Sequence, residues 1–235
     1  MSLLITGASG KLGSQLVKLL PEALTPSHNE LNFTHPKEVQ RYIQENGVES
    51  IIHCGALTSV RHCEAHKREA YRVNVLGTKN LLDGLSLSRA YFLYISTACV
   101  FPGDELEKYY TESDPPHPKN YYALTKLLGE FYVANTLPIS TLIVRTNFIE
   151  HGKWPYSHAF GDRFANYLYS DQCAERIFNL YEKRVKGTIH VAGDLRRSMY
   201  EWAKLEDPDV RNTSLYFYRG PPLTVNMCLG TEKCL

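Results

Sequence analysis

The chain has 235 residues, 43% hydrophobic and 22% charged, with a formal net charge of +1. This is enough for one large domain or two small ones, and it is ordinary for a soluble globular protein. A near-zero charge with no basic stripe argues against nucleic acid or an acidic membrane as partner. No run approaches the ~20 apolar residues of a membrane span.

The apolar opening breaks at Gly7 and lacks the basic front of a secretion signal, so a cytoplasmic location is expected. The six cysteines (54, 63, 99, 173, 228 and 234) show no CxxC pair and no finger-like spacing, and read as reduced thiols. "SLLIT" (2–6) reads as a buried strand. After the turn "TGASGKLG" (6–13), Leu12, Leu16, Leu19 and Leu20 fall near a 3.6 period, so a helix starts at about Gly10. Residues 20–34 carry Pro21 and Pro26 and leave room only for a short strand.

"PKEVQRYIQEN" (36–46) is a helix and "SIIHCGA" (50–56) a strand. A long helix covers about 64–84. "YFLYIST" (91–97) is a strand, "YYALTKLLGEFYVAN" (121–135) a helix and "STLIVRT" (140–146) a strand. "DQCAERIFNLYEK" (171–183) is a helix and "GTIHVAG" (187–193) a strand. Apolar strands alternating with helices predict an α/β fold, a Rossmann-like doubly wound parallel sheet covered on both faces. After about residue 148 the pattern turns irregular and aromatic-rich. Residues 1–147 are therefore read as the core. Residues 148–235 are read as a small added lobe through which core elements return at 171–193.

Strand, glycine turn, helix is the order that aims backbone N–H groups and a helix N-terminus at a phosphate. Gly7, Gly10 and Gly13 are spaced G-x-x-G-x-x-G, a variant of the commonest dinucleotide fingerprint. A Walker A loop is excluded, because Leu12 follows Gly10-Lys11 and Ile5 stands where the first glycine would be. The competing reading is a structural turn without ligand. The flanking strand and helix favour a dinucleotide.

Tyr122 and Lys126 lie one turn apart on one helical face. A nearby ammonium stabilises a phenolate, and such a tyrosine can hand a proton to a carbonyl oxygen as hydride arrives. Thr97, at the end of a strand, stands where open α/β sheets bind ligands. A plain surface Tyr/Lys pair is the alternative, weakened by the glycine turn upstream. His62 and His66 put two imidazoles at i and i+4, but no third ligand is apparent and no metal is expected.

In order along nearly the whole chain, "TGASGKLG", "HCGALTSV" (53–60), "NVLGTKNLL" (74–82), "ISTACVFPG" (95–103), the stretch around Tyr122 (109–130) and "LIVRTNF" (142–148) resemble the extended short-chain dehydrogenases/reductases. Within them the nearest branch resembles the dTDP-4-dehydrorhamnose reductases and related nucleotide-sugar reductases. The resemblance implies Thr97, Tyr122 and Lys126 as the catalytic trio. It implies Gly7, Gly10, Lys11, Leu12, Gly13, Gly55, Ala56 and Thr58 along the dinucleotide, with Asn32 and Phe33 near its adenine. It also implies a nucleotide-linked 4-keto-6-deoxy sugar as substrate and a homodimer through the helices at 64–84 and 121–135.

The expected end of the second strand, Thr25-Pro26-Ser27-His28, has no carboxylate for a ribose 2′-hydroxyl, while Lys11 and His28 suit a 2′-phosphate. NADP(H) is therefore expected ahead of NAD(H). In bifunctional 3,5-epimerase/4-reductases of this family a cysteine stands where Cys99 stands and acts as acid/base, with His158 as our candidate for the second acid. The other reading of Cys99 is a small buried strand-end residue. Thr97, Trp154 and His158 are the candidate substrate contacts, Trp154 by stacking on a base or else as plain core. Beside the reductase stand an epimerase and, in another class, a non-catalytic dinucleotide-binding subunit.

Overall fold

A computed structural model describes residues 2–85, 90–136 and 139–233, so Cys234 lies outside the described residues. Strands β1 (Ser2–Thr6), β2 (Val48–His53), β3 (Tyr91–Thr97), β4 (Ser140–Thr146) and β5 (Gly187–Val191) form one sheet in that order. Every neighbouring pair is parallel. The helices are α1 (Lys11–Leu19), α2 (Pro36–Glu45), α3 (Val60–Ala65), α4 (Lys67–Tyr71), α5 (Gly77–Gly84), α6 (Tyr121–Ala134), α7 (Ser170–Glu182) and α8 (Met199–Glu206).

Alternation along each strand sends apolar side chains to both faces. Leu3, Ile5, Ile52, Leu93, Val144 and Ile189 pack with Leu12 and Leu16 of α1 and Ile177 and Leu180 of α7. Leu4, Ile51, Phe92 and Tyr94 pack on the other face with Val39 and Ile43 of α2, Leu81 of α5 and Val133 of α6. The doubly wound sheet is as expected.

The expected second strand shrinks to one residue. At the free edge of β1, Leu24 donates its N–H to the Leu3 carbonyl (2.8 Å) and accepts from the Ile5 N–H (2.9 Å). Flanking prolines allow no longer ladder. The chain passes to one side of β1 at Leu24 and crosses to the other side for β2. The switch point, where doubly wound sheets take their ligands, therefore falls at the C-terminal ends of β1 and β2.

The helix expected over 64–84 is broken. The backbone leaves helical geometry at His66 (φ −124°, ψ 56°), and Arg72–Leu76 is a π turn between α4 and α5. Strands β2 and β5 stop at His53 and Val191, short of the expected 56 and 193, where the chain turns into loops at the sheet's C-terminal edge.

The lobe is built from ladders of two or three residues. Phe148–Ile149 pairs with Leu168–Tyr169, His158–Phe160 with Arg211–Thr213, and Phe164–Ala165 with Arg197–Ser198. Buried asparagines hold it together. The Asn226 amide donates to the carbonyls of Glu105 and Lys108 (both 2.7 Å), and that of Asn166 to Gly193 (2.5 Å) and Leu229 (2.8 Å).

Candidate active site

The glycine turn closes tightly for reasons of space. Gly7 has φ +69°, and a Cβ there would lie 2.7 Å from the Gly55 nitrogen. A Cβ on Gly13 would lie 2.1 Å from the Gly7 carbonyl oxygen. Gly10 is the N-cap of α1 and offers no side chain, so amides of the first helical turn stay open to a ligand. Thr6, Gly7, Ala8, Ser9, His28 and Phe33 line part of a cleft of about 380 Å³ beside the turn. A backbone cradle that side chains would fill, next to an open helix N-terminus, fits the diphosphate and adenosine of a dinucleotide.

The other expected dinucleotide contacts are distributed unevenly. Leu12 is buried in the core, so its backbone amide is what it can offer. Gly55 packs under the Phe33 ring; Ala56 is half-buried and Thr58 exposed. The Asn32 carboxamide oxygen accepts from Thr34 N–H (3.0 Å) and Oγ1 (2.7 Å), which holds the turn leading to α2. Glu30 also lines the cleft, but its carboxylate accepts from Ser27 N–H and Oγ (both 2.8 Å). The Lys11 Nζ pairs with Glu150 of the lobe (2.7 Å).

At the end of β3, Thr97 Oγ1 accepts from the Cys99 N–H (3.1 Å), and the Tyr122 phenol lies beside the Thr97 side chain. Burial raises the Tyr122 phenol well above its ordinary value, with neighbouring Cys99 adding to the shift and Thr97 opposing it. Lys126 is buried, and burial pulls its ammonium down to about 7, against the pull of Glu130. Thr97 and Tyr122 thus lie together at the C-terminal edge of the sheet, while the Lys126 Nζ, one turn along α6, lies 4.0 Å from the Tyr94 ring centroid. Burial rather than the lysine sets the phenol, so the expected lowering by the ammonium is not found.

Residues outside the expected set hold that geometry. Asn120 caps α6, its Oδ1 accepting from Ala123 N–H (2.9 Å), and Glu64 Oε1 accepts from Tyr121 N–H (2.6 Å). From the π turn, Asn74 accepts from Leu57 N–H (2.8 Å) and donates to Leu57 O (3.0 Å) and Thr125 Oγ1 (2.9 Å). Thr125 in turn donates to the Tyr122 carbonyl. One buried amide so ties the loop after β2 to the helix bearing the phenol. Glu130 accepts from Ser96 Oγ (2.5 Å) and from Arg145 Nε and Nη2, an ion pair buried behind the site.

Beside them His53 is locked and neutral. Thr78 Oγ1 donates to the Asn74 carbonyl and so accepts from His53 Nε2–H, leaving Nδ1 to accept from Thr6 Oγ1 (2.6 Å). Burial, with Lys126 adding, holds this imidazole well below its usual range.

Of the substrate candidates, Trp154 and His158 meet each other in the lobe. Trp154 is half-buried, its Nε1–H donating to the His158 carbonyl (3.4 Å). The His158 ring is exposed and shares a hydrogen with Ser157 Oγ (2.9 Å). Cys99 is 8% exposed, and its Sγ meets Met227 Sδ at 3.7 Å. The His62 and His66 rings lie tilted at 35°, centroids 4.4 Å apart, and His62 bonds Glu69.

A family model, that of the RmlD substrate binding domain, matches residues 1–160. The chain belongs to this family. The likeness to extended short-chain dehydrogenases/reductases read from the motifs therefore holds. Over 99% of this chain and 88% of the relative, it is 34% identical to a probable dTDP-4,6-dihydroxy-2-methyloxan-3-one 4-ketoreductase of Streptomyces antibioticus. The dTDP-4-dehydrorhamnose reductase of Aggregatibacter actinomycetemcomitans is 30% identical over 94% of this chain and 74% of its own. Among solved structures, the dTDP-4-dehydrorhamnose reductase of Bacillus anthracis in complex with NADP superposes with a TM-score of 0.87. It is 28% identical, with 98% of this chain and 91% of that one covered.

Proposed function

We propose that this RmlD-family protein is a reductase of a nucleotide-linked 4-keto-6-deoxy sugar, using NADP(H) ahead of NAD(H). The observation that carries the reading is Tyr122 beside Thr97 at the sheet's C-terminal edge, with the buried Lys126 one turn along α6, near a glycine turn shaped for a diphosphate. The named relatives and the NADP-bound neighbour support it.

A bound reduced nicotinamide supplies the hydride to the keto carbon. The Tyr122 phenol, protonated at neutral pH and held so more firmly by burial, gives its proton to the carbonyl oxygen. The Thr97 hydroxyl orients the phenol and bonds the same oxygen. The Lys126 ammonium favours the phenolate left behind and donates to the ribose hydroxyls of the dinucleotide. Gly7, Gly10, Gly13 and the first-turn amides of α1 hold the diphosphate. His28 at the adenosine cleft suits a 2′-phosphate, while the Glu30 carboxylate is occupied by Ser27.

We read the chemistry as reduction: the contact of Cys99 Sγ with Met227 Sδ favours a packed strand-end thiol over the acid/base of a 3,5-epimerase. The five cysteines among the described residues are free, which fits a reducing compartment such as the cytoplasm. Among the described residues no helix is long and apolar enough to cross a membrane. Exposed Leu76, Leu124 and Phe131 on the π turn and α6 support a homodimer through this face.

Incubation of the purified protein with NADPH and a panel of dTDP-, UDP- and GDP-linked 4-keto-6-deoxy sugars tests the reading, followed at the reduced-nicotinamide absorbance band. Oxidation with the dTDP-linked sugar is expected. Tight dinucleotide binding without oxidation by any sugar would instead make this a binding subunit.

A further inference from the structure

Lys126 presents a physical problem. Its side chain is 3% exposed, and among the described residues no carboxylate forms an ion pair with its Nζ. A buried ammonium without a counter-charge tends to lose its proton. Groups from β2, α6 and β3 face it. From the end of β2 come His53, neutral and locked between Thr6 and Thr78, and Cys54, whose thiol burial pushes up to about 12. From α6 come Tyr122 and Glu130, the latter's charge engaged by Arg145 of β4. From β3 comes Tyr94, with the Lys126 Nζ 4.0 Å from its ring centroid.

We propose that Tyr94 is a positioning residue for Lys126: its ring face holds the ammonium charged and in place through a cation–π contact. The ring is built into its position. Tyr94 is fully buried, on the face of β3 that α6 covers. Gly129 makes the room, since a Cβ there would lie 2.2 Å from the Tyr94 hydroxyl oxygen. That hydroxyl bonds the Lys126 carbonyl (3.4 Å), so ring and hydroxyl grip the same residue at its two ends.

An aromatic face suits this place better than a carboxylate. A carboxylate against Nζ would also keep the lysine protonated, but it would cancel the field that a phenolate at Tyr122 needs and would repel a diphosphate nearby. A ring quadrupole stabilises the cation at short range and leaves its net charge intact. The inference rests on the reading of Lys126 as the ammonium that serves the phenol and the dinucleotide.

The test reads Lys126 itself, without substrate. In protein carrying 13C at the lysine ε-carbons, NMR titration follows the Lys126 midpoint, assigned by its disappearance in Lys126→Arg. Tyr94→Phe keeps the ring and should titrate with the parent protein, whereas Tyr94→Leu should titrate about one pH unit lower or more. Fluorinated phenylalanines at position 94 keep the shape while draining the ring's negative face. Their midpoints should step down with each fluorine, and this series decides the matter if Tyr94→Leu fails to fold. A midpoint insensitive to fluorination, or a Tyr94→Phe midpoint as low as that of Tyr94→Leu, overturns the proposal. A stepwise titration in a protein that oxidises NADPH with no sugar would uphold the contact and refute the reductase reading instead.

Discussion

The sheet and the lobe are held together by different physics. In the sheet, strands of five to seven residues bury apolar side chains on both faces, and backbone ladders carry the alignment. In the lobe, ladders are two or three residues long, and buried asparagines stitch carbonyls that have no strand partner. Tyr156, Tyr216 and Phe217 stand exposed there, whereas the large side chains of β3 are covered. The sheet therefore fixes chemistry to a rigid edge, while the lobe depends on a few polar contacts whose loss is felt locally.

The comparison breaks most sharply at the sheet's edge. Tyr122→Phe should lower sugar-dependent NADPH oxidation by about 10²-fold or more while dinucleotide affinity stays within about twofold. Equal losses in both would mean the phenol organises the groove rather than the reaction. Gly13→Ala follows, because the added methyl meets the Gly7 carbonyl. It should abolish dinucleotide binding measured by calorimetry and cost roughly 1–3 kcal/mol in urea unfolding.

On the lobe side, Asn226→Ala strands two carbonyls and the Cys228 N–H, at a cost of about 1–3 kcal/mol. Amide exchange should quicken in residues 99–112 and 222–231 and stay slow in β1–β4. Uniform quickening would erase the distinction between the two regions.

A gentler probe is pH. Lys126 carries its proton below about 7 and loses it above. Dinucleotide affinity should hence be highest on the acid side and fall as pH rises, by at most about tenfold per unit, with Lys126→Met flat. The smallest effect is expected from Cys99→Ala. Reduction should stay within about twofold of the parent, because this thiol packs on Met227. A slowed exchange of substrate C3 and C5 hydrogens with deuterium in that variant would revive the epimerase.

Much of the site was legible in the chain. Gly7, Gly10 and Gly13 were marked by their position between an apolar run and a 3.6-period segment, and Tyr122 and Lys126 by their four-residue spacing. Asn74 was not marked. A helical pattern over 64–84 gives no sign that a π turn will face its amide toward Leu57 and Thr125. Glu64 opens the expected 64–84 helix with nothing in the sequence to single it out, and it proves to accept from the first-turn Tyr121 N–H of the phenol's helix.

What the sequence determined by itself was the alternation of buried strands with amphipathic helices, the glycine turn and the order of the reacting side chains. These are local properties, set by periodicity and by the absence of a Cβ. Only the tertiary structure decided that the second strand would shrink to Leu24, that Lys11 would reach Glu150 and that Tyr94 would lie against Lys126. Periodicity tells which face of an element is covered; it does not tell which residue of a distant element does the covering, and charge and hydrogen bonding depend on that partner.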